Sequence, residues 1–211
     1  MGLCYFACVF IFVVLLLYAS LELHYFLRMT LTVILARFCK KQVHILDETS
    51  VNGICITTDI DTLLYHMNNA RFIRELDFAR VDFYERTGLY KRIRSKGGSI
   101  AMGATTIRYR RFVRLFNRYT ITSRITYWDD QSIFMEHRFI NPSDKFINAI
   151  VLTRTRLMDC NTEDVMNELR STSPSSGDVE GETKLKPEMP LEVAKWCEYN
   201  ALSSSNLRSD C

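Results

Sequence analysis

A chain of 211 residues has room for one domain with a sizeable core and some appendages. Its 47% hydrophobic and 12% aromatic residues suit a folded protein, and a net charge of only +3 argues against nucleic acid as a partner. No P-loop, GxGxxG, HExxH or zinc-type cysteine pair occurs, so neither a cofactor nor a bound metal is expected.

The first element is an uncharged run, Leu3 to Leu21, "LCYFACVFIFVVLLLYASL". At about 1.5 Å per residue it matches the hydrocarbon core of a bilayer. The chain start lacks the Lys or Arg of a signal peptide, and bulky Leu17 or Tyr18 occupies the −3 position of each cleavage point after Ala19 or Ser20. A transmembrane or signal-anchor segment is therefore expected over 1–23, with secretion after signal cleavage as the alternative. Arg28, Arg37, Lys40 and Lys41 follow the run, which orients the body of a single-pass protein towards the cytosol, by default at the endoplasmic reticulum. Phe6 spoils a myristoylation signal at Gly2. The seven cysteines have no repeated spacing, and Pro142 blocks the glycosylation acceptor that Asn141 would begin, both of which fit a reducing environment. Residues 24–42 form a juxtamembrane segment that either follows the membrane surface or packs on the domain.

The folded body is expected over 43–170. It contains "DIDTLLYHMNNARF", Asp59 to Phe72, which places two acids, an imidazole and two amides ahead of a helix. That helix runs from Met67 or Asn68 to Thr87, with Phe72, Leu76, Ala79 and Phe83 on one face and Gly88 as its stop. Arg71 with Glu75, and Asp82 with Arg86, are i,i+4 pairs expected on the exposed side. Four antiparallel strands then follow, within 105–112, 118–128, 133–140 and 145–157, joined by turns at "WDDQS" and "NPSD". A long helix covered by a curved antiparallel sheet is an α+β architecture. Residues 161–170 read as a short helix, 171–190 as a Ser/Gly/Pro-rich flexible linker, and 191–211 as a last helix with a tail.

Paired acids, "HMNNARF", a helix with "RELDFAR" and four strands resemble the hotdog-fold acyl-CoA thioesterases of the 4-hydroxybenzoyl-CoA type. "WDD" at 128–130 and "KWCEYNALSSS" narrow the match to one branch of that family. The resemblance implies a hotdog fold, a homodimer or higher homo-oligomer joined through its sheets, sites between subunits, and an acyl-CoA or related lipid thioester as substrate. It makes Asp61 the catalytic carboxylate, with His66, Asn68 and Asn69 at the remaining polar positions of the motif.

Thioester hydrolysis needs an activated water or a carboxylate nucleophile, and donors for the developing oxyanion. Asp61 with His66 is the candidate for the first task, and backbone N–H groups around Tyr65 to Met67 for the second. Asp59, Tyr65, Met67, Asn68 and Asn69 are the candidate substrate-binding residues. Plain structure offers other roles for several of them: a turn or cap for Asp59, loop hydrogen bonding for His66, and capping for Asn68 and Asn69. The loop also departs from the many family members that place glycine there, carrying Thr62, Leu63, Leu64 and Tyr65 instead. That departure leaves a non-catalytic lipid or acyl-CoA binding or scaffold protein as the rival function.

Overall fold

Asn68 holds an extended conformation (φ −61°, ψ 140°), and its side chain accepts the Ala70 N–H, so the long helix α3 begins at Asn69. It ends at Thr87, where Gly88 turns left-handed with φ 72°. The computed structural model describes residues 2–172 and 185–209. Around α3 (Asn69–Thr87) lie α1 (Gly2–Leu21), α2 (Leu23–Ile34) with a π turn at Leu35–Cys39, and β1 (Thr49–Ile54). Then come α4 (Leu89–Ser95), β2 (Ser99–Tyr109), β3 (Arg118–Trp128), β4 (Ser132–Ile140), β5 (Ile147–Met158), α5 (Thr162–Thr172) and α6 (Leu191–Ser209).

One antiparallel sheet has the order β1-β3-β4-β5-β2 and covers α3. Phe72, Leu76 and Ala79 pack with Tyr119, Ile121, Phe139 and Val151, while Phe83 packs further along with Ile125, Trp128 and Ile133. Each large side chain buried there contributes roughly 1.5–3 kcal/mol. Between these layers His137 bridges Ser123 (2.8 Å) and Thr153 (3.3 Å). Full burial, with Arg80 adding to it, lowers this imidazole to about 3 and keeps it neutral.

The sheet has five strands where four were expected. β1 pairs with β3 from Thr49↔Ser123 to Ile54↔Arg118. Its Gly53 has no room for a side chain, because a Cβ would meet the Tyr119 ring at 2.5 Å. A short helix, α4, which was not among the expected elements, also follows Gly88. The last helix runs from Leu191 to Ser209, taking in most of the stretch expected as a tail. Most of the expected linker, 173–184, falls outside the described residues.

A second difference lies on α3. Glu75 and Asp82, expected on its exposed side, are only 3% and 0% exposed. The cause is α2 and the π turn after it, which lie across that side and bring cations with them. Arg28 grips Glu75 with two bonds of 2.5 and 2.6 Å, and the Tyr119 hydroxyl donates to the same carboxylate at 2.7 Å. Lys40 reaches Asp82 at 2.5 Å, with Arg86 3.5 Å from the other oxygen. Such pairs are costly to break one-sidedly, at about 3–5 kcal/mol, because a lone buried charge remains.

Between α1 and α2, Glu22 is left-handed (φ 48°), and its carboxylate pairs with Arg74 on α3. Among the described residues no single helix is long and apolar enough to cross a membrane. The segments Cys4–Tyr18 and Leu23–Cys39, bent by 75°, pass that test as a pair.

Candidate active site at the start of the long helix

Two aspartates two residues apart face different surroundings. Asp59 is built into the backbone: its Oδ2 accepts the Ile56 N–H at 3.0 Å and its own N–H donates to the Ile56 carbonyl at 2.9 Å. Its carbonyl accepts the Asn68 N–H at 2.8 Å, and Arg71 Nε lies 3.8 Å from Oδ1. With 6% exposure, this residue closes the turn that feeds α3.

Asp61 opens a tight loop that returns at His66. The Asp61 N–H donates to the His66 carbonyl at 2.9 Å, and the Leu64 N–H donates to the Asp61 carbonyl at 3.1 Å. Asp61 Oδ1 accepts the N–H groups of Tyr65 (3.2 Å) and His66 (3.4 Å). Oδ2 faces His66 Nε2 at 3.9 Å. Burial pushes this carboxyl up, yet the two N–H groups and the imidazole outweigh it and hold it below its ordinary value.

His66 Nδ1 lies 3.0 Å from the Met67 carbonyl, so the neutral ring donates there and leaves Nε2 as an acceptor towards Asp61. The ring stacks on Phe112 at 4.1 Å and 7°, and Tyr65 meets both rings edge-on. Arg114 lies over Tyr65 at 5.2 Å, and its backbone pairs with that of His66. Met67 is core, and its N–H donates to the Val113 carbonyl at 2.8 Å.

The backbone donors therefore differ from expectation. The N–H groups of Tyr65, His66 and Met67, expected to hold an oxyanion, are spent on Asp61 and Val113. Among the described residues, the Asn69 N–H in the first turn of α3 has no acceptor. Asn69 borders a cavity of about 440 Å³ with Met67, Phe72, Tyr109 and Phe112, and its carbonyl accepts the Tyr109 hydroxyl at 3.0 Å.

The structure thus joins Asp61, Tyr65 and His66 in one cluster, sets Met67 and Asn69 on the adjoining cavity, and ties Asp59 and Asn68 into the turn and cap that begin α3. Phe112, which borders both cluster and cavity, was not among the sequence candidates. Its signal was an aromatic residue inside the basic run "YRRFVR". The arginines of that run serve local packing, since Arg111 pairs with Asp144 at 2.7 Å and both Arg110 and Arg111 stack on Phe146. Cys55 is fully buried and its thiol is pushed up to about 11, first by burial and then by Asp59 and Glu75, which makes it inert.

Residues 55–197 match the thioesterase-like superfamily. The closer branch pointed to by "WDD" and "KWCEYNALSSS" is thioesterase superfamily member 6. Protein THEM6 of Drosophila melanogaster is 39% identical over 198 residues, covering 94% of this chain and 97% of its own length. Among solved structures, the probable thioesterase YbaW of Escherichia coli superposes with a TM-score of 0.53 at 21% identity, over 57% of this chain and 94% of its own. Slr0204, a 1,4-dihydroxy-2-naphthoyl-CoA thioesterase from Synechocystis, gives 0.50 at 11% identity, over 58% and 98%. These likenesses and the strand order identify the fold as the hotdog fold. The chain belongs to the thioesterase-like superfamily, beside relatives called Protein THEM6.

Proposed function

We propose that this protein hydrolyses fatty acyl-CoA thioesters, with Asp61 as general base and His66 as its partner in holding water. The observation that carries the reading is the 3.9 Å gap between Asp61 Oδ2 and His66 Nε2 at the start of α3. Two acceptors at that separation suit one water that donates a hydrogen to each. A lone pair of that water then faces outward, towards a thioester carbon. As oxygen attacks, its proton passes to Asp61, and the carbonyl oxygen becomes an oxyanion. The Asn69 N–H and the positive end of α3 stabilise that charge. Collapse breaks the C–S bond, and the thiolate leaves with the proton that Asp61 returns. The cavity beside Phe72 and Phe112 suits the start of an acyl chain.

The reading includes an assembly. β2 is an edge strand of 11 residues without lysine or proline, the kind of edge that pairs with another chain. A homodimer through this edge would bring a second subunit beside Tyr109, and so beside the site. It includes a membrane as well. α1 carries no charge and turns Phe6, Phe10, Phe12 and Leu16 outward, which supports insertion into a bilayer with the body on the cytosolic side.

One observation favours a second reading. Leu63 and Leu64 crown the Asp61 loop, both strongly exposed, where bulky side chains obstruct a substrate carbonyl. A protein that binds acyl-CoA without turnover would tolerate them. The full chain in lipid vesicles, given an acyl-CoA panel with thiol release as readout, distinguishes the two. Turnover that falls by about 10²–10⁴ in Asp61→Asn, at unchanged melting temperature, supports hydrolysis. Saturable acyl-CoA binding without turnover in the wild type overturns it.

A further inference from the structure

α2 is apolar on the side turned away from the domain. Its inner face sends Arg28 to Glu75 and Tyr25 to Asp77, burying charge and hydroxyl against α3. The face turned away presents Leu27, Leu31 and Ile34, and the π turn that follows adds Phe38, with Leu27 68% and Phe38 77% exposed. Steps of four, three and four residues make these one continuous stripe. A helix that hides its cation and displays leucine is built for an apolar exterior.

We propose that this stripe lies in the surface of a lipid bilayer, so that α2 is an interfacial platform fixing how the domain sits on the membrane. The inference rests on the reading of α1 as the membrane anchor and adds a second, separate contact. Three observations favour lipid over a second copy of the chain. The stripe is continuous with the uncharged α1, and the 75° bend sets one helix nearly across the other, as an inserted helix and a surface helix would lie. From Leu23 to Leu46 the chain has no Asp or Glu to repel anionic headgroups; Arg28, Arg37 and Lys40 are taken up by Glu75, Glu85 and Asp82 on α3, and Lys41 remains exposed at the end of the segment. The bend itself is held by the body, through left-handed Glu22 and its pair with Arg74.

The geometry also says what the platform is for. Phe26, 60% exposed beside the stripe, borders a groove of about 760 Å³ that reaches Ile60 and Asn68 at the site loop. Seating α2 on lipid places the mouth of that groove at the bilayer surface, where long-chain thioesters reside.

The test uses the full chain in vesicles of phosphatidylcholine and phosphatidylserine, with and without brominated acyl chains. Leu31→Trp and Phe38→Trp each add an indole to the stripe, read as the difference from the wild type, whose own Trp128 is buried and Trp196 half-buried. At the depth of about 5–10 Å typical of a surface helix, bromine should quench roughly half or more of the added emission. Unchanged emission in protein that floats with the vesicles overturns the platform and leaves the anchor standing. Protein that fails to float overturns both. Unquenched emission that shifts to the blue as protein concentration rises assigns the stripe to a second copy, and also overturns it.

Discussion

Asp59 and Asp61 sit on the same turn of chain, yet one is finished and the other is not. Every polar group of Asp59 has a backbone partner or faces Arg71, and the residue is buried. The Asp61 carboxylate takes its two backbone N–H bonds through Oδ1, and Oδ2 looks across 3.9 Å at an imidazole nitrogen. A buried carboxylate with one oxygen on a backbone N–H and the other turned to an arginine makes structure. One with its orientation fixed and an oxygen to spare is equipped for chemistry. The difference between them is a difference of partners, as both are the same residue in the same loop.

The largest expected effect tests that contrast directly. Asp61→Asn keeps shape and the acceptor oxygen but loses the base, so hydrolysis should fall about 10²–10⁴-fold, or about 3–5 kcal/mol of barrier. Asp59→Asn, assayed beside it per folded molecule, should retain most activity. Equal losses in the two would mean that the loop acts as one unit and that the contrast is false.

Stability should show the reverse order. Asp59→Ala strips the Ile56 N–H of its acceptor in a buried turn, which costs about 1–3 kcal/mol. Asp61→Ala leaves the Tyr65 and His66 N–H groups close to solvent and should cost less. Thermal or urea unfolding of the two variants gives the comparison.

Acid separates activity from stability in a further way. The Asp61 carboxyl sits below 3.8, so the base stays ionised well into the acid range. His137 behaves oppositely. Its ordinary value of 6.5 falls to about 3 on folding, so the unfolded chain binds the proton first. Its stabilising contribution is whole above 6.5 and is lost as pH falls towards 3, by a few kcal/mol in all. Loss of the Asp61 charge should therefore not limit activity before the fold is lost, and His137→Gln should flatten the fall of stability across this window. An acid limb in kcat/KM centred well above 3.8, in protein still folded, that persists in His66→Gln would mean that Asp61 is desolvated by substrate or partner.

Much of this was legible in the chain. The α3 face of Phe72, Leu76, Ala79 and Phe83, its Gly88 stop, and the strands after residue 118 follow from period and turn chemistry, which are local. β1 was not legible, since "TSVNGI" has weak strand character and becomes a strand through its pairing with β3 and the space beneath Tyr119. The burial of Glu75 and Asp82 was invisible for a similar reason. Their cations, Arg28 on α2 and Lys40 just after the π turn, lie more than forty residues away on a segment whose docking no local pattern encodes. At the site, the motif marked Asp61 and His66, but the spent N–H groups of Tyr65, His66 and Met67 depend on how the loop closes.

The smallest effect concerns that closure. Leu64 is left-handed at φ 56°, a conformation that costs a residue with a Cβ about 1–2 kcal/mol and costs glycine almost nothing. The side chain is 71% exposed, so its removal gives up little packing. Against the relief stands the greater chain entropy that glycine loses on folding, about 0.5–1 kcal/mol. Leu64→Gly should then be neutral or stabilising by up to about 1 kcal/mol, and the Asp61 loop should keep its shape. Asp59 is unaffected in this account, because its bonds to Ile56 and Asn68 lie outside the Asp61–His66 loop. Activity carries the information. If Leu64 obstructs the thioester carbonyl, Leu64→Gly should raise kcat/KM while Asp61→Asn in the same background abolishes the gain. If instead Leu64→Gly lowers acyl-CoA binding with stability unchanged, the leucine is itself a contact for the acyl chain or for a second subunit. The loop would then have exchanged backbone approach for an apolar grip.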